Sequence, residues 1–177
     1  TMIPRFRHIT PTMPGARQAG NALLLSSSKV HGHPGFLKYA HGMIDEFLGA
    51  DASSILFVPY ARPGGRTYQQ YTDLVRANTT ELGREVVGIE TFDDPQRAVR
   101  EASAIFVGGG NTFLLQRELV RLGLFDVISK RVLSGELLFI GASAGINVAG
   151  LTIESSNDMP IAFPGSFEAV SYTHLRA

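Results

Sequence analysis

Short apolar runs alternate with longer amphipathic stretches along most of the chain. Five almost wholly apolar runs predict β-strands buried on both faces, as in a parallel sheet; they are residues 22–25, 55–58, 86–89, 104–107 and 137–140. Between them, apolar residues recur at helical spacing, which predicts helices over 36–48, 68–82, 112–122 and 124–133. Asp94 before Pro95 predicts one more helix start, because Asp caps helices and Pro suits their first turn.

Strands that alternate with helices along the chain predict a mostly parallel sheet with right-handed crossovers. We therefore expect an open three-layer α/β fold, with helices on both faces of the sheet. The sequence has no internal repeat and no interior linker, so a single domain is predicted. Residues 1–20 carry three prolines and three arginines without an apolar segment, and we expect a disordered or non-native leader there.

The composition fits an ordinary globular protein, since 44% of the 177 residues are hydrophobic and 18% are charged. Sixteen basic and 16 acidic residues cancel, so charge favours neither nucleic acid nor a membrane surface as a partner. The absence of cysteine excludes disulfides, thiolate metal sites and a cysteine nucleophile. It is also compatible with the cytoplasm, which is the location we expect.

A serine follows the fifth predicted strand, within the sequence Gly-Ala-Ser-Ala-Gly at 141–145. In the G-x-S-x-G pattern, a strained strand-to-helix turn exposes the hydroxyl of a nucleophilic serine. The flanking glycines leave room for the sharp turn and for a substrate. Ser143 is therefore a candidate nucleophile, although a plain connection rich in small residues has the same composition.

The first and fourth predicted strands also end in polar or glycine-rich turns, at 26–28 and 108–111. Ligands bind at the carboxyl ends of strands in open α/β sheets. The backbone N–H groups of the 108–111 turn could hold a phosphate or stabilise an oxyanion beside Ser143. The glycine patterns of dinucleotide and P-loop sites are absent, so a nucleotide is the weaker choice.

A serine nucleophile needs a base, and usually a third group that orients the base. Asp158 is the candidate acid, but an Asp two residues before Pro160 is by itself more typical of a turn. His31 and His33 have no third ligand at a suggestive spacing, so no metal site is predicted. His41 fits a structural role on the first predicted helix.

A set of motifs in order resembles peptidase E, the aspartyl dipeptidase family of serine peptidases. The matching segments are ALLLS at 22–26, VPYA at 58–61, YT at 71–72, VGGGNTF at 107–113, GASAGIN at 141–147 and NDMPI at 157–161. The joint presence of the last three is specific, and the resemblance extends over residues 21–169.

This resemblance implies a fold like that of class I glutamine amidotransferases, a flavodoxin-like α/β arrangement. It also implies hydrolysis of dipeptides with an N-terminal aspartate, with a small peptide as substrate and no cofactor. By resemblance, Ser143 is the nucleophile and Asp158 the acid of a catalytic triad. The backbone N–H groups of Gly110 and Ala144 would form the oxyanion hole.

The family's catalytic histidine lies in an Asn-Pro-His segment, which on this spacing would fall just past Ala177. His174 lacks the preceding Asn-Pro, so we expect this chain to be nearly inactive. The last eight residues resemble a translated sequencing-library adapter. The expected division is a leader at 1–20, a partial domain, incomplete at its C-terminus, at 21–169, and a non-native tail at 170–177.

Two other functions stay open. Cyanophycinase, a related family that cleaves β-aspartyl–arginine units, shares the elbow serine, although the NDMPI segment favours peptidase E. A non-catalytic α/β domain whose glycine turns bind a small anion is the alternative from another class. Arg62 and Arg66 are candidates for binding a substrate aspartate on charge alone, although solvated loop arginines are more common. The sequence does not indicate an oligomeric state.

Overall fold

The structure is a computed structural model that describes residues 16–19, 21–26 and 35–154. This part of the chain forms one six-stranded sheet in the order β1-β2-β6-β5-β3-β4. The strands are β1 (Ala16–Ala19), β2 (Ala22–Leu25), β3 (Ser54–Val58), β4 (Glu85–Gly88), β5 (Ala104–Val107) and β6 (Leu138–Ala142). Strand β1 is antiparallel to β2, and all other neighbours in the sheet are parallel.

In the described part of the chain, six α-helices connect or follow these strands. They are α1 (His41–Leu48), α2 (Tyr68–Asn78), α3 (Pro95–Glu101), α4 (Thr112–Arg121), α5 (Leu124–Leu133) and α6 (Ala144–Glu154). Four short 3-10 helices lie at Lys38–Ala40, Pro63–Gly65, Thr80–Leu82 and Ile89–Thr91. Within the described residues, no helix has both the length and the apolar character needed to cross a membrane.

The core lies in two layers, one on each face of the sheet. Helices α1 and α2 cover one face, and α3 to α6 cover the other. Strand β3 shows the alternation, since Ile55 and Phe57 pack on the first face while Leu56 and Val58 pack on the second. The predicted three-layer, mostly parallel α/β fold is therefore confirmed.

The sequence did not predict β1. Residues 1–20 were assigned to a leader, yet Ala16–Ala19 pair antiparallel with β2, from Ala16 opposite Leu25 to Ala19 opposite Ala22. The sequence Ala-Arg-Gln-Ala has no β-branched or aromatic residue, so nothing local indicates a strand. It pairs with an edge of β2 that would otherwise be left open.

Two helix boundaries also differ from the predicted ones. The helix predicted from residue 36 begins only at Lys38, as the 3-10 helix that precedes α1, because Leu37 has a left-handed backbone with φ of 57°. The second predicted helix is broken at Thr79, whose hydroxyl donates to the carbonyl of Val75 at 2.8 Å. Such local side-chain bonds compete with the helical pattern. The predicted cap holds, since Asp94 accepts a bond from the N–H of Arg97.

The strand order places a topological switch between β3 and β5. The connection from β3 to β4 runs through α2 on one face, whereas β5 reaches β6 through α4 and α5 on the other. Ligand sites of open α/β sheets lie at such a switch, outside the carboxyl ends of the strands. The loop after β3 and the glycine turn after β5 meet there.

Candidate active site

Ser143 occupies the turn between β6 and α6. Its φ is 52°, a left-handed conformation that costs a non-glycine residue roughly 1–2 kcal/mol. The Ser143 N–H donates to the carbonyl of Leu25 at 3.0 Å, and the Ser143 carbonyl accepts the N–H of Ile146 at 2.8 Å. The backbone is thus fixed on both sides, while the residue itself is exposed.

The glycines on either side of this turn are needed for close packing. A methyl group on Gly141 would lie 2.9 Å from the carbonyl oxygen of Gly145. A methyl group on Gly145 would overlap the carbonyl oxygen of Val107, the last residue of β5. Helix α6 therefore starts directly against the end of β5, which fixes where Ser143 stands above the sheet edge.

The glycine turn after β5 lies against Ser143, as the sequence analysis expected. A methyl group on Gly109 would lie 2.9 Å from Cβ of Ser143 and 3.5 Å from its Oγ. On the other side, a methyl group on Gly110 would lie 2.6 Å from the carbonyl oxygen of Ala61. Gly110 also has φ of +141°, so only glycine fits without strain. The turn is held between the serine elbow and the loop after β3.

Within the described residues, the backbone N–H groups of Gly110 and Ala144 have no hydrogen-bond acceptor. The N–H groups of Gly108 and Asn111 donate to the carbonyls of Val58 and Ala61, at 3.3 and 2.8 Å. In the part of the chain that the structure describes, no acceptor bonds the N–H of Gly110. Ala144 begins α6, and the first N–H groups of a helix have no intrahelical acceptor. This arrangement suits an oxyanion or another small anion.

Helices α4 and α6 are tied together beside the site. The side chain of Asn111 caps α4 by accepting the N–H groups of Phe113 and Leu114, at 2.9 and 3.1 Å. Asn147 on α6 donates its side-chain amide to the Thr112 hydroxyl at 3.2 Å. Asn147 and Thr112 belong to two of the sequence motifs, but their contact was not predicted.

Tyr71 on α2 contacts the glycine turn from the face of the sheet that α1 and α2 cover. Its hydroxyl donates to the carbonyl oxygen of Gly109 at 3.0 Å, and the residue is fully buried. Its ring packs edge-to-face on Phe57 and Phe36, with centroids 5.0 and 6.4 Å apart. Burial raises the pKa of Tyr71 above its ordinary value, so the hydroxyl keeps its proton. This bond was not predicted, although Tyr71 belongs to the Tyr-Thr motif at 71–72.

The two arginines of the loop after β3 bond to that loop. Arg62 donates to the carbonyls of Arg66 and Gly65, at 2.9 and 3.4 Å, and its guanidinium lies 5.7 Å from the ring centre of Tyr68. Arg66 donates to the carbonyl of Pro63 at 2.9 Å. These bonds stiffen the loop that packs on Gly110.

Five further residues were considered from the sequence, and the structure describes one of them, His41. Asp158, His31, His33 and His174 lie outside the described residues. His41 places Nδ1 3.4 Å from a carboxylate oxygen of Glu81, which fits the structural role expected of it. In residues 16–19, 21–26 and 35–154, no three His, Cys, Asp or Glu side chains are grouped to hold a metal ion.

The sequence of this chain is similar to those of known proteins. Residues 22–175 match the model of the family described as Peptidase family S51. The chain is 48% identical over 154 residues to a Drosophila melanogaster protein named "Probable alpha-aspartyl dipeptidase", an alignment that covers 86% of this chain and 62% of that protein. It is 44% identical over 151 residues to a protein of Shewanella oneidensis named peptidase E, covering 85% of this chain and 62% of that one.

A solved structure shows the same fold. A crystal structure of a candidate peptidase E from Listeria monocytogenes EGD-e superposes with a TM-score of 0.52 at 25% identity, covering 70% of this chain and 58% of that one. The chain spans 62% of the length of each of the two curated relatives described above. Because the family match covers most of its residues and includes the Ser143 elbow and the glycine turn, this chain belongs to peptidase family S51.

Proposed function

We propose that this chain carries the nucleophile and the oxyanion hole of a serine dipeptidase that hydrolyses dipeptides with an N-terminal aspartate. One observation carries the proposal: Ser143 is exposed on a strained strand-to-helix turn, and the glycine turn that packs against it has an N–H group, that of Gly110, without an acceptor in the described residues. The names of the relatives, alpha-aspartyl dipeptidase and peptidase E, support aspartate as the residue before the cleaved bond. The cytoplasm remains the predicted location.

The proposed chemistry is acyl transfer through the Ser143 hydroxyl. Ser143 Oγ attacks the peptide carbonyl carbon while a base removes its proton, and the carbonyl oxygen becomes an oxyanion. The N–H groups of Gly110 and Ala144 would stabilise that oxyanion, for which donors about 3 Å away are needed. The proton then passes to the leaving amine, and water hydrolyses the acyl-enzyme. Asp158 would orient the base.

The described residues place no histidine beside Ser143. Of the histidines, the described residues include His41, which pairs with Glu81 and not with Ser143. The family histidine was predicted to lie outside these 177 residues. A serine without its base is a weak nucleophile, and an incomplete triad leaves only roughly 10³–10⁴-fold catalysis over water. We therefore expect little Asp-X turnover by the chain alone.

The test compares the purified chain with a form extended, from residue 169 onward, by the C-terminal segment of the Drosophila relative. The extended form should hydrolyse an Asp-X dipeptide, and the chain alone should not. Changing Ser143→Ala in the extended form should abolish this activity and leave the thermal unfolding midpoint almost unchanged. Comparable turnover by the two forms would show that the base lies within the 177 residues.

The same proteins separate the alternative functions. A fluorophosphonate probe that labels Ser143 in the extended form supports a hydrolase, whereas absence of labelling supports the anion-binding domain. Cleavage of β-aspartyl–arginine units in preference to Asp-X dipeptides would favour a cyanophycinase-like activity. Retention of most Asp-X activity by Ser143→Ala would reject Ser143 as the nucleophile.

A further inference from the structure

We infer that Tyr71 is a positioning residue that sets the direction of the Gly110 N–H and thereby aligns the oxyanion hole. This inference rests on the proposed function, because it concerns a donor in the proposed oxyanion hole. It starts from one buried hydrogen bond, in which the Tyr71 hydroxyl donates to the carbonyl oxygen of Gly109 at 3.0 Å.

The carbonyl of Gly109 and the N–H of Gly110 belong to the same peptide group. A trans peptide is planar, and its C=O and N–H point in opposite directions. A bond that holds the Gly109 oxygen toward the buried Tyr71 therefore turns the Gly110 N–H away from the core. Gly109 and Gly110 have no side chains that would oppose rotation of this peptide, and Gly110 adopts a φ of +141° that only glycine adopts without strain.

The peptide needs such an anchor because, within the described residues, no backbone group bonds to it. The N–H groups of Gly108 and Asn111 are fixed to β3 and to the loop after it. Between them, within the described residues, the Tyr71 hydroxyl is the hydrogen-bond partner of the Gly109–Gly110 peptide. Gly108 lets the phenol approach, since a methyl group there would lie 2.5 Å from the Tyr71 oxygen.

Tyr71 is itself rigid enough to act as a reference point. It is 1% exposed, and its ring packs edge-to-face against Phe57, a fully buried residue of β3. Helix α2 that carries it starts with a capping box, in which Thr67 and Gln70 exchange side-chain to backbone bonds. A hydroxyl held in this way fixes an oxyanion donor before substrate binds, which is the form of preorganisation that lowers a barrier most.

The test replaces Tyr71 by Phe, which keeps the ring and removes the hydroxyl. Tyr60→Phe is the matched control, because Tyr60 is also buried and its hydroxyl makes no bond to the turn within the described residues. In the extended form, kcat for Asp-X should fall about 10- to 100-fold in Tyr71→Phe, less than the roughly 10²–10³-fold lost with an entire oxyanion donor. KM should stay unchanged, and Tyr60→Phe should keep the parent kcat.

A second measurement does not depend on activity. The residual dipolar coupling of the Gly110 N–H, measured by NMR on the 177-residue chain, reports the direction of that bond. It should change in Tyr71→Phe and stay the same in Tyr60→Phe, while the couplings of α4 and α6 stay unchanged in both. A merely structural role would instead move the couplings of the helices, or KM together with kcat.

The outcomes separate this inference from the proposed function. An unchanged Gly110 coupling in Tyr71→Phe overturns the inference whatever the activity. A changed coupling with parental kcat, in a form that Ser143→Ala inactivates, shows that the peptide direction does not matter for catalysis and also overturns it. If Ser143→Ala stays active, the proposed function fails, and a changed coupling then supports only the anchoring of the peptide.

Discussion

Replacing glycine by alanine should stabilise the protein at position 42 and destabilise it at position 145, although the two positions are equivalent in their helices. Gly42 and Gly145 are each the second residue of their helix, α1 and α6. A methyl group on Gly42 would have no heavy atom within 4 Å, whereas one on Gly145 would overlap the carbonyl oxygen of Val107. The pair therefore isolates the contact between α6 and β5 from the helix preference of alanine.

The magnitudes follow from these two environments. Gly42→Ala should stabilise the protein by up to about 0.5–1 kcal/mol, since alanine is preferred over glycine in helices. Gly145→Ala has the same gain, but overpacking typically costs about 1–3 kcal/mol. The contact is with the backbone of a central strand, so no side chain can rotate away and α6 has to shift. The cost should therefore lie near the upper end of this range, which leaves a net loss of about 2 kcal/mol after the helix gain is subtracted.

Urea unfolding of the two variants beside the parent chain measures these changes. For a domain of this size, 1 kcal/mol corresponds to about 2–4 °C in the thermal midpoint. Gly145→Ala should therefore unfold about 4–8 °C lower, and Gly42→Ala slightly higher than the parent. If the two variants differed by less than about 0.5 kcal/mol, α6 would not approach β5 as closely as described, and the argument for the Ser143 elbow would fail with it.

Two further predictions concern the glycine turn and the acid stability. Gly110→Ala should lower kcat of the extended form roughly 10²-fold or more, because a methyl group 2.6 Å from the Ala61 oxygen would displace an oxyanion donor. Gly42→Ala is the control. A parental kcat in Gly110→Ala would exclude the Gly110 N–H as an oxyanion donor. The carboxylate of Glu118 accepts a hydrogen bond from Arg121 at 2.7 Å, and Arg117 lies 3.7 Å away. Tyr60 and Tyr68 are also nearby. The bond from Arg121 holds the pKa of the Glu118 carboxyl below its usual value. A lowered pKa stabilises the folded state above the pKa of the unfolded state, and this stabilisation is lost as the pH falls through the folded-state pKa. Glu118→Gln should therefore lose less unfolding free energy than the parent between pH 7 and about pH 3. Equal losses for the two proteins in urea titrations would contradict the pairing.

The sequence predicted the parts of the fold that depend on local patterns. The apolar runs located five strands because a strand buried on both faces leaves no polar alternation. Asp94 marked the start of α3, since the residue that caps a helix N-terminus belongs to a small set of residue types. Strand β1 escaped because its pairing with β2 is set by the open edge and not by its own residues.

The candidate site divides in the same way. The turn at Ser143 and the turn at 108–111 could be located from sequence because both need small residues in a fixed order. The bond from Tyr71 to Gly109 could not, since its partners lie on different elements and a buried tyrosine on an amphipathic helix has the pattern of any core residue. The tie between Asn147 and Thr112 was hidden for the same reason.

The strained backbone of Ser143 links these long-range contacts to the fold. A non-glycine residue stays in a left-handed conformation only where its surroundings hold it there. The carbonyl of Leu25 in β2 bonds the Ser143 N–H, Gly109 packs on its Cβ, and Gly145 brings α6 onto β5. Three strands from distant parts of the sequence must therefore be paired before this turn can form. Because the exposed hydroxyl depends on that pairing, the Ser143 turn is a property of the assembled sheet, and a peptide of residues 137–154 alone should not keep the positive φ.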